Sequence, residues 1–98
     1  ILDTISRAFH NEKSIREYSI GKYRIDLYFP KYKLAVECDE NNHQNYEILN
    51  EKLRELYIKE QLKCTFLRFN PDEPEFNIGE PINKILSHIV NYSYPSQF

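Results

Sequence analysis

Two alternating runs separated by a short loop constrain this fold more than any other feature. Residues 23–29 and 34–39 alternate side-chain character with a period of two residues, which is typical of half-buried β-strands. Residues 30–33, Pro-Lys-Tyr-Lys, form a proline-led polar loop of the length that closes an antiparallel hairpin. The runs therefore predict two adjacent antiparallel strands. One face of the first strand is predicted to carry Tyr23, Ile25, Leu27 and Phe29.

Counting outward from the loop places Asp26 directly opposite Glu37. The same register sets apolar residues against each other, whereas a slip of one residue would mix apolar and charged faces. The predicted apolar pairs are Phe29 with Leu34, Leu27 with Val36, and Ile25 with Cys38. The register of the hairpin therefore brings two acids face to face.

Two carboxylates opposed in this way repel each other, because directly opposed Cβ atoms lie about 4.5–5.5 Å apart. A shared proton, a hard divalent cation such as Mg²⁺, or rotation of both side chains into solvent would relieve the repulsion. Asp39, Glu40 and His43 follow directly and add further groups of the kind that bind metals. We therefore expect a cation between Asp26 and Glu37.

The remaining chain predicts one α/β domain. The predicted elements are a helix to about residue 10, strands over 15–20, 23–29 and 34–39, a helix to about residue 62, a strand over 64–69 and a last helix. The second helix is predicted to be amphipathic because apolar residues recur at helical spacing, at Tyr46, Leu49, Leu53 and Leu56. As a right-handed crossover, it should place the fourth strand parallel to the third. Pro81 is expected at the first position of the last helix.

Length and composition fit one small intracellular domain. The chain has 98 residues, 13 Lys and Arg, 15 Asp and Glu, and a net charge of −2. It has neither an apolar run long enough to span a membrane nor a signal-peptide pattern. Cys38 and Cys64 lie in apolar strand patterns without metal-ligand spacing, which predicts buried thiols. Because the chain starts at Ile1, already in a helical pattern, we expect a domain excised from a longer protein.

Charge is unevenly distributed along the chain. Residues 12–33 hold six basic and three acidic residues, whereas residues 37–60 hold seven acidic and three basic ones. This asymmetry favours a basic hairpin rim that meets phosphates, although two solvated faces would give the same pattern. The candidate nucleic-acid contacts are Lys22, Arg24, Lys31 and Lys33 on the hairpin, with Lys52 and Arg54 on the following helix.

The order αβββαβ, with Asp26 in the second strand and residues 37–39 ending the third, resembles the PD-(D/E)xK nuclease superfamily. Residues 33–43, KLAVECDENNH, resemble in particular the branch of very-short-patch repair and EDxHD endonucleases, whose relatives occur in large DNA virus and phage proteins. The resemblance covers about residues 1–72. It implies a restriction-endonuclease-like αβββαβ(α) core, with a mixed four-stranded sheet flanked by helices.

The resemblance also implies a site. Asp26 and Glu37 match the metal-binding acids, and the backbone carbonyl of Cys38 matches the third ligand of a Mg²⁺ or Mn²⁺ ion. Asp39 stands where the family has a lysine, so another group must activate the water. His43 is the best substitute, because an imidazole with a pKa near 6.5 accepts a proton at neutral pH. Asp26, Glu37, Asp39 and His43 are thus the predicted catalytic residues.

The family's first-motif acid usually lies on the first helix. Asp3 is the only acid within the predicted helix, and Glu12 and Glu17 are alternatives outside it. Lys52 and Arg54 are weaker candidates to stabilise the developing charge on phosphorus. A fragment without its first-motif acid would fold well and cleave poorly.

Three functions are compatible with these residues. The first is a metal-dependent endonuclease acting on DNA rather than RNA, with specificity supplied by other domains of the parent chain and a homodimer as one assembly it could form. The second is an inactive nuclease-fold module that binds nucleic acid or protein. The third is a structural domain with contacts through a tyrosine-rich surface of Tyr18, Tyr23, Tyr28 and Tyr32.

Overall fold

The computed structural model describes residues 1–39 and 48–95, which form an α/β fold. The elements are α1 (Leu2–Ala8), β1 (Ile15–Ile20), β2 (Tyr23–Phe29), β3 (Leu34–Cys38), α2 (Ile48–Leu62), β4 (Thr65–Phe69) and α3 (Gly79–Ser93). A short 3-10 turn, Pro30–Tyr32, connects β2 to β3. Both hairpin strands therefore form where the alternating pattern predicts them.

The sheet has four strands in the order β1-β2-β3-β4. β2 is antiparallel to β1 and β3, whereas β3 and β4 are parallel. This confirms the mixed sheet and the crossover through α2, because a helical connection returns the chain in the same direction. The predicted hairpin register is confirmed by the pairing of Phe29 with Leu34 and of Leu27 with Val36.

Two apolar clusters cover the two faces of the sheet. The first joins α1 and α3 to the sheet and contains Ile5, Leu27, Phe29, Tyr32, Leu34, Val36, Phe69 and Ile85. The second lies under α2 and contains Ile25, Tyr28, Ala35, Ile58 and Cys64. α1 and α3 thus pack on one face of the sheet and α2 on the other. Side chains of these helices can therefore approach the carboxyl end of β3 from either face.

The prediction that Tyr23, Ile25, Leu27 and Phe29 share one face of β2 is wrong. Ile25 packs in the second cluster, under α2, whereas Leu27 packs in the first. The change of face falls at Asp26, and its neighbour on β1, Glu17, has a positive φ of 53°. The predicted pair of Ile25 with Cys38 is wrong as well, because Cys38 packs against the first cluster. The regular alternation is broken where the acids lie.

The described residues of the predicted apolar face of α2 do not face the core, and Tyr46 lies outside the described residues. Leu49, Leu53 and Leu56 are 67%, 53% and 63% exposed, whereas Ile58 is fully buried. The sheet-facing side of the helix carries Arg54 and Glu55, which make ion pairs with residues of β3 and β4. Because Arg54 and Glu55 form ion pairs with charged residues of the strands, α2 directs these two side chains toward the sheet. The three leucines, which were predicted to face the sheet, point away from it.

Substitutions in α2 should distinguish these two orientations. Ile58→Ala is expected to lower the free energy of unfolding by about 2–5 kcal/mol, because it leaves a cavity in a packed cluster. Leu53→Ala removes an exposed side chain and should change it by less than about 0.5 kcal/mol. Urea denaturation of both variants measures the difference. If Leu53→Ala were the more damaging change, the helix would be oriented as its sequence predicts.

Two element boundaries have clear local causes. α3 begins at Gly79, so the buried Pro81 takes its third position rather than the predicted first. The β1–β2 turn needs a glycine, because Gly21 has φ of 59° and an added Cβ would lie 2.6 Å from the hydroxyl of Tyr57. The turn is therefore packed directly against α2. α1 ends at Ala8, slightly before its predicted end.

Candidate functional site

Asp26 and Glu37 lie next to each other where β2 and β3 stop pairing regularly. The N–H of Asp26 donates to Oε2 of Glu37 at 2.9 Å, and the N–H of Cys38 donates to Oδ2 of Asp26 at 2.9 Å. Each carboxylate thus accepts a bond from the opposite strand, where a regular ladder would use a backbone carbonyl. These bonds fix the two acids side by side.

Glu37 is buried against an arginine. It is 3% exposed, and within residues 1–39 and 48–95 it is the only charged residue that is buried. Its Oε1 lies 2.5 Å from Nη2 of Arg54. Arg54 also contacts Oε1 of Glu51 at 2.8 Å and donates to the backbone oxygen of Arg24 at 2.5 Å. Because a buried carboxylate without a partner is costly, Arg54 is what allows Glu37 to be buried as an anion.

A second arginine holds Asp39. Nη1 of Arg68 on β4 lies 3.0 Å from Oδ1 of Asp39, and its Nη2 lies 2.7 Å from Oε1 of Glu55 on α2. The same Nη2 lies 3.7 Å from Glu51, which also contacts Arg54. The acids at the end of β3 are therefore connected to α2 through two arginines.

Sequence reasoning missed Arg68 and its acidic partners on α2. Arg68 stands alone as a charge inside the apolar run 64–69, and it pairs with Glu37 in the sheet register. A charge inside a strand pattern that is otherwise apolar is the signal that could have identified it, because such a residue needs a partner on its own face of the sheet.

Burial raises the pKa of Glu37 above its ordinary value. The N–H of Asp26 and the guanidinium of Arg54 oppose this effect, while the neighbouring charge of Asp26 adds to it. Loss of solvation is the largest cause, so the folded protein binds a proton at Glu37 more tightly than the unfolded chain does.

The stability of the protein should therefore depend on pH through Glu37. A raised pKa in the folded state gives stability that is complete below the ordinary glutamate pKa and is lost as pH rises through the folded pKa. As pH rises through the pKa of Glu37 in the folded state, the free energy of unfolding of the parent should fall relative to that of Glu37→Gln. At higher pH the difference between the two proteins should stay constant. Urea denaturation of both proteins without metal, from about pH 4 to 8, measures it. A difference that moves in the opposite direction would show that Arg54 dominates the pKa of Glu37.

The donor chemistry of this pair fits a hard divalent ion. Carboxylate oxygens suit Mg²⁺, which proteins commonly hold through one or two carboxylates together with water and phosphate oxygens. Within residues 1–39 and 48–95, no group of three or more His, Cys, Asp or Glu side chains is arranged to hold a metal. Asp26 and Glu37 are thus two adjacent carboxylates, and both the cation expected between them and its third ligand, the Cys38 carbonyl, stay predictions.

The predicted base, His43, and the neighbouring Glu40 lie outside the described residues. Their roles stay predictions. Asp39, which was predicted to be catalytic, has Arg68 as its partner. Its own N–H donates to the carbonyl of Phe69 at 2.8 Å, so the chain is held to β4 up to this residue.

The three candidates for the first-motif acid lie in different surroundings. Asp3 forms an ion pair with Arg16 and lines a groove of about 240 Å³ together with Cys38. Glu12 accepts a hydrogen bond of 2.6 Å from the hydroxyl of Tyr32, and this bond raises the pKa of that tyrosine. Glu17 is an exposed residue of β1. Asp3 is the one of the three that shares a groove with the acid-bearing end of β3.

The predicted basic rim consists of two separate groups. Lys22 and Arg24 lie at the start of β2, whereas Lys31 and Lys33 lie beyond its end. β2 has seven residues and a length of roughly 20 Å, so the two groups lie near its opposite ends. Because β2 and β3 are antiparallel, the first group lies at the end of the hairpin where β3 finishes. The basic residues of the hairpin therefore lie at its two ends, and their contacts with phosphate stay a prediction. Lys52 is exposed on α2, close in sequence to the enclosed Arg54.

Other predicted surface and core features are confirmed only in part. Tyr28 and Tyr32 are buried, which contradicts a contact surface built from four tyrosines. Cys64 is buried and Cys38 half-buried, and neither of these two thiols forms a disulfide. Burial raises the pKa of the Cys64 thiol. In the parts of the chain that the structure describes, every helix is too short or too polar to cross a bilayer.

Comparison with known families agrees with this architecture. A family model described as restriction endonuclease PvuRts1 I-like, N-terminal, matches residues 8–89, which is more than half of the chain. None of the curated proteins and none of the solved structures matches the chain.

Proposed function

The chain belongs to the family of restriction endonuclease PvuRts1 I-like N-terminal domains, and on that premise we propose that it is a metal-dependent endonuclease. The observation that carries this proposal is the pair of carboxylates, Asp26 and Glu37, each fixed by a backbone N–H of the opposite strand. Such a pair offers oxygen ligands at a preformed position, and phosphoryl transfer depends mostly on positioning and charge.

We further propose that the family is a branch of the PD-(D/E)xK superfamily related to the very-short-patch repair and EDxHD endonucleases. The order of elements and residues 33–43 support this relationship. An origin in a virus or phage, an intracellular location and targeting by further domains of the parent chain belong to the same proposal.

Asp26, Glu37 and the carbonyl of Cys38 would hold Mg²⁺ or Mn²⁺. When bound, the ion would lower the pKa of water and provide a positive charge beside the phosphate. Arg54 orients the Glu37 carboxylate and favours its charged form, through its contact with Oε1. Arg68 orients the carboxylate of Asp39. His43 accepts the proton of the attacking water, because a neutral imidazole is available near pH 7.

The assignment of His43 predicts a specific kinetic result. His43→Ala should lower the cleavage rate by about 10²–10⁴ while leaving Mn²⁺ affinity unchanged, because the imidazole moves a proton and holds no ion. In the parent, the rate should rise between about pH 6 and 7.5 as the imidazole loses its proton. A pH series of initial rates for both proteins tests this. If His43→Ala cleaved like the parent, the base would lie elsewhere, with Lys52 as the next candidate.

A second candidate function is an inactive nuclease-fold module that binds nucleic acid. Asp39 stands where the resemblance expects a lysine, and Glu37 already has a cationic partner in Arg54. Both observations would suit a domain that kept the fold and lost the reaction.

Cleavage of plasmid DNA separates the two candidates. The nuclease should nick or linearise DNA with Mg²⁺ or Mn²⁺, stop when EDTA is added, and lose activity in Asp26→Asn. A binding module would retain DNA at low salt in all these conditions without cutting it. DNA contacts by Lys22, Arg24 and Lys52, and by Lys31 and Lys33 at the far end of β2, should appear as a salt-dependent affinity in either case.

A further inference from the structure

A groove lies next to Cys38 at the end of β3, on the side of the sheet that α1 covers. It has a volume of about 240 Å³ and is lined by Ile1, Leu2, Asp3, Arg16, Cys38 and Pro71. Arg16 has the one basic side chain of this lining and Asp3 the one acidic side chain. The groove therefore combines apolar walls with a single pair of opposite charges.

The charged pair in the groove is accessible and weakly held. The Arg16 side chain is 40% exposed and the Asp3 side chain 77% exposed. An ion pair this exposed contributes little to stability and is screened by salt, so another anion can compete for the guanidinium. A phosphate is a suitable competitor, because arginine binds phosphate as well as carboxylate through two parallel N–H bonds.

The position of the groove connects it to the candidate site. Arg16 pairs with Leu27 in the β1–β2 register, one residue from Asp26. Cys38 lines the groove, follows Glu37 directly and donates its N–H to Asp26. An anion bound by Arg16 would therefore lie near the strand residues that carry the carboxylate pair, whereas Lys31 and Lys33 lie beyond the other end of β2.

We propose that this groove binds a backbone phosphate of nucleic acid and that Arg16 is its ligand, exchanging Asp3 for the phosphate. The inference rests on the proposed function, since the phosphate belongs to the strand that reaches Asp26 and Glu37. Contacts to phosphate orient a duplex without reading its sequence. Arg16 is thus a binding residue that sets the register of the backbone on the site, and Asp3 holds its guanidinium in the absence of DNA.

Duplex binding by charge variants tests the proposal. The probe is a short fluorescent DNA duplex of mixed sequence, measured by anisotropy in Ca²⁺ over a range of salt concentrations. Arg16→Gln should weaken binding several-fold and reduce the slope of log affinity against log salt by about one. Arg7→Gln is the matched control, because Arg7 is an exposed arginine on α1 outside the groove and the change in charge is the same. Thermal unfolding of both variants should match that of the parent.

Asp3→Asn should tighten duplex binding, because it removes the anion that competes for Arg16, and this effect should shrink when Arg16 is already Gln. Equal affinity and slope for Arg16→Gln and the parent would overturn the inference and leave the nuclease proposal intact. An equal loss in Arg7→Gln would also overturn it, since general charge would then explain the effect. A parent that binds no duplex at low salt would overturn both the inference and the proposed function.

Discussion

Glu37→Ala is expected to reduce DNA cleavage by about 10³-fold or more, which is the loss of several kcal/mol of transition-state stabilisation. Glu37 lies at the centre of the site, with Oε2 accepting the Asp26 N–H and Oε1 facing Arg54. Its removal takes away a proposed metal ligand and also leaves Arg54 and that N–H without their acceptor. Initial rates of plasmid cleavage in Mn²⁺ measure the effect.

Two controls separate chemistry from folding in that experiment. Glu37→Gln keeps the size of the side chain and a carbonyl that can accept the Asp26 N–H, so it should fold while losing the same activity. Glu60→Ala removes an exposed glutamate from α2 and should leave the rate unchanged. Full activity in Glu37→Gln would show that this carboxylate holds no catalytic ion.

Arg54→Ala is expected to lower the free energy of unfolding by about 3–5 kcal/mol, because it leaves a buried carboxylate without its cation. The three groups that Arg54 contacts are Oε1 of Glu37, Oε1 of Glu51 and the backbone oxygen of Arg24. Arg54→Lys keeps the charge but cannot reach all three acceptors, so it should recover only part of the loss. Urea denaturation at neutral pH measures both variants.

Lys52→Ala is the matched control for Arg54, because Lys52 lies two residues away on the same helix and is exposed. It should change stability by less than about 0.5 kcal/mol and should instead reduce the salt dependence of DNA binding. If Arg54→Ala left stability unchanged and altered only DNA binding, Arg54 would be a nucleic-acid contact, as its sequence position first suggests.

The strands were predictable because their pattern is local. Alternation over residues 23–29 and 34–39, with a loop of fixed length between them, leaves one register that separates apolar from charged residues. That register brings Asp26 and Glu37 together, so the central pair of the candidate site follows from the sequence. The irregularity at Asp26 does not, because it arises when the carboxylates themselves accept backbone N–H bonds.

The orientation of α2 could not be predicted in the same way. Its leucines recur at helical spacing and indicate a buried face, yet Arg54 and Glu55 face the sheet. Helix rotation here depends on which charges the strands offer, and those partners lie far away in sequence. Arg68 is 13 residues from Glu55 and 29 from Asp39. The periodicity of apolar residues within one segment does not indicate which distant residues form such ion pairs.

The most direct test of the central proposal is calorimetric titration of Mn²⁺ into the protein at neutral pH. The parent should bind one ion at the carboxylate pair, whereas Asp26→Asn and Glu37→Gln should each lose that binding, with Glu60→Ala as the unaffected control. If the parent gave no binding heat, or if both carboxylate variants bound Mn²⁺ as the parent does, Asp26 and Glu37 would not form a metal site and the nuclease proposal would be contradicted.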